Sequence, residues 1–340
     1  MKKIIILYIT ERGRRLAERL KNFLSDAVLM RYTSDTLPGI WNEYEGFVFI
    51  MAAGIVVRGI GPLLKDKKVD PAVVVLDEQG RFAISLAGGH IAGANELARR
   101  IAGLLGGDAV ITTASDVNGM KGLDIWAEEN DLVVEDPGLL PEIGTRLVNN
   151  GCLRIYLDHG LDIPLPDEYL RVADPRYADA IVTNRTDVYA AEACRTGACR
   201  VKGQLYLRPR NLVVGIGCKR GTSMQEIEAA VRRVLEENNF SLLSLRNAAS
   251  IDIKADEPGL KEFAERYNLF LHTFAARELN RVDTAEKSEV AFDATGAFGV
   301  AEPAAILSAG LGVLLVHKQK KGNVTVAVAQ KNLHTTASEG

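Results

Sequence analysis

The sequence predicts an α/β protein of more than one domain, built from three-layer α/β/α units with largely parallel sheets and glycine-rich strand-to-helix turns. Two observations carry that expectation. Short β-branched runs alternate with stretches whose apolar residues recur at helical spacing, and glycines cluster where a strand hands over to a helix. The length of 340 residues, 47% of them hydrophobic, suits two or three buried cores.

Taken in order, KIIILYIT ends at Thr10 and reads as the first strand; residues 12–23 follow as a helix with Leu16, Ala17, Leu20 and Leu24 on one face. FVFIM (47–51) is a second strand that runs through Ala52-Ala53-Gly54 into a helix holding Ile55, Val56 and Arg58. AVVVLD (72–77) and FAISL (82–86) flank Glu78-Gln79-Gly80-Arg81, a hairpin with Gly80 in the turn. Gly88-Gly89-His90 opens the next turn into a helix that carries Asn95, and AVITT (109–113) is a further strand. Asp136-Pro137-Gly138 to Pro141 breaks the pattern and marks a first boundary. LRIYLD, ADAIVT and QLYL make a small middle unit, and residues 204–211, with Pro209 between two arginines, read as a linker. NLVVGIG (211–217) opens the last unit, which runs through TVAVA (325–329). The expected division is an N-terminal α/β domain over 1–134, a small middle domain and linker over 135–209, and a C-terminal α/β domain over 210–332.

Composition narrows the function. Lys and Arg total 41 against 44 Asp and Glu, so the net charge of −3 lacks the basic excess of a nucleic-acid binder. Cys152, Cys194, Cys199 and Cys218 are too few for a disulfide framework and fit a reducing compartment. The apolar start meets Glu11 and Arg12 at once, too early for a signal peptide. The run 304–316 falls short of the roughly 18 residues that cross a bilayer. A cytoplasmic protein with no membrane partner is expected.

Gly215-Ile-Gly217-Cys-Lys219-Arg220-Gly221-Thr222-Ser223 lies between a strand and a helix. Ser223 with Glu226 forms a capping box, which fixes the helix start. A glycine loop feeding a helix N-terminus presents N–H groups and the positive dipole end to an anion, and Lys219 and Arg220 add charge there. The spacing misses both the dinucleotide fingerprint and the P-loop. Gly88, Gly89 and His90 form a second such turn, where an imidazole can move protons near neutral pH. Arg58, with Lys65 beyond it, can clamp a carboxylate. Lys254, Glu257, Glu302 and Lys318 fall near strand ends of one unit, and both glutamates precede a helix-starting proline, where capping is the ordinary role. His272, His317, His159 and His334 carry weaker signals, and no pair has metal-ligand spacing.

These segments together resemble the CbiG family, the cobalt-precorrin-5A hydrolases of anaerobic cobalamin biosynthesis. The resemblance rests on residues 54–98, including RFAISLAGGHIAGANELA, and on TTASDVNGMKGLDIWAEEN (112–130), VVGIGCKRGTSMQEIEAAV (213–231), SIDIKADEPGLKEFAE (250–265) and GVAEPAAIL (299–307). It implies a hydrolase that opens the δ-lactone of cobalt-precorrin-5A and releases acetaldehyde, giving cobalt-precorrin-5B. A competing reading is a non-catalytic carrier of the same tetrapyrrole intermediate. The resemblance implies a cobalt-corrinoid substrate, neighbouring pathway enzymes as further partners, and no cofactor of the protein's own, because cobalt arrives within the substrate. Its many carboxylates would be met by Gly54, Arg58, Lys65, Gly88, Gly89, Asn95, Gly215, Gly217, Lys219, Arg220, Thr222, Ser223, Lys254 and Lys318. His90 is the expected base, with Glu257 or Glu302 in reserve, and N–H groups at Gly88 and Gly89 or Gly215 and Gly217 would receive the oxyanion.

Overall fold

The computed structural model describes residues 3–66, 69–89, 92–113, 119–188, 203–284 and 287–331. The chain divides into two compact units, Met1–Ile125 and Trp126–Gly340. Among the described residues the strands form three sheets of six, five and five, and no helix is long and apolar enough to cross a membrane.

The first unit holds β1 (Ile4–Tyr8), α1 (Glu11–Lys21), β2 (Val28–Arg31), α2 (Leu37–Ile40), β3 (Gly46–Ile50), α3 (Ala53–Ile60), β4 (Ala72–Leu76), β5 (Phe82–Ala87), α4 (Ala94–Leu105) and β6 (Asp108–Val110). The sheet order is β2-β1-β3-β4-β5-β6, with every pair parallel except β4–β5. That exception is the expected hairpin, and Gly80 takes the left-handed φ of 67° in its turn. Strands covered on both faces read as unbroken apolar runs. Ile6, Val48, Ile50 and Val74 meet Leu16, Leu20, Ala98 and Ile101 on one face. Ile5, Leu7, Phe47, Phe49 and Val75 meet Leu37, Val56 and Ile60 on the other.

The second unit carries two sheets, with α5 (Leu123–Glu129) spanning the division. The first contains β7 (Leu132–Val134), β8 (Leu153–Leu157), β9 (Tyr169–Arg171), β10 (Ala180–Val182) and β11 (Leu205–Pro209) in the order β7-β11-β10-β8-β9, with α6 (Leu140–Asn150) between β7 and β8. The segment expected as a linker, 204–211, is therefore largely strand. Pro209 sits at its end opposite Leu132, and the neighbouring Arg208 is fully buried. Arg208 donates to the carbonyls of Thr183 (3.1 Å) and Arg185 (2.6 Å) and to Glu135 (2.7 Å). A proline flanked by arginines looks like a linker only because one of those arginines spends its charge indoors. β7 pairs with β11, so residues 132–134 share a sheet with the middle region.

The last sheet, β14-β13-β12-β16-β15, comprises β12 (Leu212–Cys218), β13 (Leu245–Ile251), β14 (Phe270–Phe274), β15 (Val313–Lys321) and β16 (Val324–Gln330). Its helices are α7 (Met224–Glu237), α8 (Pro258–Arg266), α9 (Ala276–Leu279), α10 (Glu289–Thr295) and α11 (Ala301–Ser308). Ile227, Val231, Val234, Leu260 and Phe263 cover one face. Ala304, Ala305 and Ala309 bring α11 onto the other, against Val213, Ala249 and Ile251. The two sheets of this unit meet through buried amides. Asn184 donates to Asn211 Oδ1 and to Gln330 Oε1, both at 3.1 Å. Ser241 N–H donates to Asn184 O and Thr186 N–H to Asn239 O.

Candidate functional site

In the first sheet β1 leads through α1 to β2 on one side, while β3 pairs with β1 on the other. The carboxyl ends of β1 and β3 therefore form a topological switch point, where open α/β sheets bind ligands. Two adjoining recesses lie there. One, of about 450 Å³, is lined by residues that include Ile9, Thr10, Met51, Ala53 and Glu78. The other, of about 490 Å³, is lined by Ile9, Tyr32, Thr33, Ser34, Ile55, Arg58 and Gly59. Thr10 accepts the Gly13 N–H (3.0 Å) as the cap of α1 and donates its hydroxyl to Glu78. No side chain caps α3, whose first-turn N–H groups follow directly from Ala52. Arg58 folds over Gly54, so that an added Cβ there would lie 3.5 Å from a guanidinium nitrogen. Gly54 and Arg58 thus act together as one cationic corner, suited to a carboxylate.

Lys65 lies on the exposed loop beyond these recesses, where its N–H donates to both Asp70 carboxylate oxygens at 3.0 Å. Gly88 has a left-handed φ of 68°, and an added Cβ would meet Pro71 O at 2.7 Å. The carbonyls of Gly88 and Gly89 accept from Ala94 and Asn95 N–H, both at 3.0 Å. Close packing and the start of α4 account for this glycine pair. Asn95 is buried at that helix start. His90 lies outside the described residues.

The C-terminal sheet gathers a second set of the expected residues at the carboxyl ends of β12 and β13. Gly215 lies within β12, paired with Ala249 and Ala327. An added Cβ would fall 1.8 Å from Ala301 O, so its missing side chain lets α11 approach. Gly217 is likewise in the ladder, with its carbonyl accepting from Thr325 Oγ1 (3.1 Å). Both glycines serve packing, and the oxyanion role expected of Gly215 and Gly217 finds no geometric support. Ser223 caps α7 by accepting the Glu226 N–H (3.3 Å). The other half of the expected capping box is absent: Glu226 Oε1 accepts from Asn323 N–H (3.1 Å) instead. Thr222 Oγ1 donates to Lys219 O (2.8 Å), which closes the loop.

Glu257 departs most from expectation. It precedes Pro258 at the helix start yet gives no cap to α8. Instead its Oε1 accepts the Gly221 N–H (2.7 Å) and its Oε2 the ammonium of Lys254 (3.1 Å). Arg220 donates to Asp256 and to Ile253 O, both at 2.7 Å, and stands 3.8 Å from Glu257. Burial raises the Glu257 carboxyl, but the Lys254 and Gly221 hydrogen bonds and the charges of Lys254 and Arg220 outweigh it, holding the group below its ordinary value. A carboxylate so stabilised, with both oxygens engaged, is a poor base. Glu257 and Lys254 act as a buried latch that fixes the Lys219–Thr222 loop, which leaves neither the capping role expected of Glu257 nor its reserve role as base behind His90. Among the described residues no three His, Cys, Asp or Glu side chains gather as a metal site.

The family described as "Cobalamin synthesis G C-terminus" matches residues 212–329, and "Cobalamin synthesis G N-terminal" matches residues 35–116. A Priestia megaterium protein named cobalt-precorrin-5A hydrolase is 37% identical over 86% of this chain and 80% of its own length. The chain belongs to the CbiG family. A Salmonella typhimurium protein of the same name is 33% identical over 74% of the chain and 72% of its own length. Protein CobE of a Sinorhizobium species is 36% identical over 35% of the chain and 79% of its own length.

In this CbiG chain the structure also pairs groups that sequence patterns leave apart. Glu302, in the first turn of α11, is buried and accepts at Oε1 from Lys318 N–H (2.8 Å) and lies 3.2 Å from His317 Nδ1. His272 Nδ1 lies 2.8 Å from Ser308 Oγ, and burial pushes that imidazole below its usual value. Fifteen residues and a chain reversal separate His317 from Glu302, so no local spacing signals the pair. Cys218, beside the latch, has its thiol pushed up mainly by burial, which disfavours the thiolate form.

Proposed function

We propose that this CbiG chain is a hydrolase of cobalt-precorrin-5A that opens the δ-lactone of the macrocycle and releases acetaldehyde, yielding cobalt-precorrin-5B. The observation that carries the reading is the 37% identity to the Priestia megaterium hydrolase over 80% of that protein's length. The geometry agrees in kind. The substrate bears many carboxylates, and the chain offers the Gly54–Arg58 corner over an open recess of about 490 Å³ and the cationic loop of Lys219 and Arg220. Arg58 and Lys219 bind substrate carboxylates, while Arg220 and Lys254 shape the second site through Asp256 and Glu257.

Water attack on the lactone needs a base. The subsequent release of the two-carbon fragment needs the freed hydroxyl to lose its proton while the conjugated ring accepts the electron pair. Cobalt travels with the substrate, and the chain's own contribution is binding, orientation and proton transfer. The protein works in the cytoplasm.

The test is acetaldehyde formation from cobalt-precorrin-5A by the purified full chain, followed by coupled alcohol dehydrogenase. One acetaldehyde per substrate, dependent on the protein, is expected. Tight binding of the intermediate without acetaldehyde would replace this reading with a carrier.

A further inference from the structure

We infer that His317, oriented by Glu302, is the catalytic base that activates water for lactone opening; the assignment rests on the hydrolase reading above. The local backbone is built to place this ring. β15 pairs with β16 through Val316↔Val328 and then Gln319↔Val326, so one extra residue bulges at His317–Lys318. Bulges leave an N–H outside the ladder and re-aim side chains, and they recur beside active sites. Here the Lys318 N–H turns to Glu302 Oε1 at 2.8 Å, and the His317 ring falls against the same oxygen at 3.2 Å.

The asymmetry of the pair separates it from an ordinary surface contact, in which both partners are solvated. The Glu302 side chain is 9% exposed and the His317 side chain 75%. Glu302 is carried by α11, which Gly215 allows to lie directly on the sheet. A carboxylate oxygen that already accepts a backbone N–H can accept again only from Nδ1–H, and that tautomer carries the lone pair on Nε2 of a side chain that is largely exposed. A buried carboxylate behind an imidazole whose far nitrogen faces outward is the arrangement of a general base with its orienting group. The other paired imidazole lacks that opening: His272 is set between the rings of Phe270 and Phe274 with Ser308 on its Nδ1.

The step balances without any co-reactant. His317 Nε2 takes one proton from water as the water oxygen bonds to the lactone carbonyl carbon. The acyl carbon–oxygen bond then breaks, and the imidazolium returns that proton to the departing ring oxygen. A carboxylic acid and a free hydroxyl result, and the imidazole is regenerated. Glu302 touches no substrate and is a positioning residue.

Acetaldehyde release by the full chain on cobalt-precorrin-5A tests this. General-base loss is worth about 100-fold or more, so His317→Ala should lower kcat about 100-fold with KM nearly unchanged, and added imidazole should restore part of the rate. Glu302→Gln should lower kcat about tenfold or more at unchanged KM, and Glu302→Asp should recover some of it. His317 is exposed, so its substitution leaves the fold intact, which circular dichroism verifies. A His317→Ala kcat within about threefold of wild type, or a loss that imidazole does not relieve, overturns the assignment. So does loss of turnover in His90→Ala with His317→Ala unaffected. Absence of acetaldehyde from the wild-type chain would instead remove the hydrolase reading, and this assignment with it.

Discussion

Gly215→Ala puts one methyl group where the structure has no room. The new Cβ would lie 1.8 Å from Ala301 O, 2.8 Å from Ala301 C and 2.9 Å from Ala305 N, all of them backbone atoms. No side chain can swing away, so α11 must retreat by more than 1 Å or the strand must buckle. A retreat opens the contact of Ala304, Ala305 and Ala309 with Val213, Ala249 and Ile251. Overpacking costs about 1–3 kcal/mol, and a backbone obstacle places this case at the upper end. For a body of this size, about 3 kcal/mol lowers Tm by roughly 6–12 °C. Glu302 rides on the same helix, so turnover should fall with stability. Calorimetry of the full chain measures the first effect and acetaldehyde release the second. Gly103→Ala is the control: it lies in α4 with nothing within 4 Å of a new Cβ, and it should stabilise by about 0.5–1 kcal/mol. A Gly215→Ala transition within about 1 °C of wild type would refute the packing argument.

Two further predictions follow from the sites. Arg58→Ala should raise KM about tenfold or more with kcat unchanged, because a charge-assisted hydrogen bond to a carboxylate is worth about 1.5–3 kcal/mol; initial rates at several salt concentrations check it, with a weaker salt dependence in the variant. The Glu257 carboxyl sits lower in the folded chain than in the unfolded one. Its contribution is therefore complete above the ordinary carboxylate value of about 4.3 and is lost as pH falls through the lower folded value. Glu257→Gln should lose on the order of 3 kcal/mol at pH 7, where Lys254 is left buried without its counterion, and should flatten the acid limb of a stability–pH curve measured by urea unfolding.

The α/β architecture was legible because its signals are local. Apolar runs such as Ile4–Tyr8 and Ala72–Leu76 are covered on both faces, and the Gly80 hairpin and the Pro258 helix start carry their own signatures. The contact of Arg58 with Gly54 is local in the same way, since the two lie one helical turn apart. Residues 204–211 misled because burial of Arg208 depends on Glu135 and two distant carbonyls. The glycines of β12 looked like an anion loop, since a glycine kept for a close helix and one kept for a ligand read alike. Glu257 looked like a cap, and only the fold reveals that its oxygens reach Gly221 and Lys254. His317 carries only a weak signal in the sequence because what sets it apart is a bulge and a contact with a helix fifteen residues earlier, neither of which leaves a local pattern.

The buried amide joint of Asn184, Asn211 and Gln330 ties the middle and last sheets into one foldon. Opening either sheet would strand a buried amide of the other, so the two are expected to exchange their deepest protons together. The amides of Ser241 and Thr186, which cross the same joint, would then share one protection factor with the core of β12. The middle sheet is thereby hydrogen-bonded to the sheet against which the helix carrying Glu302 packs.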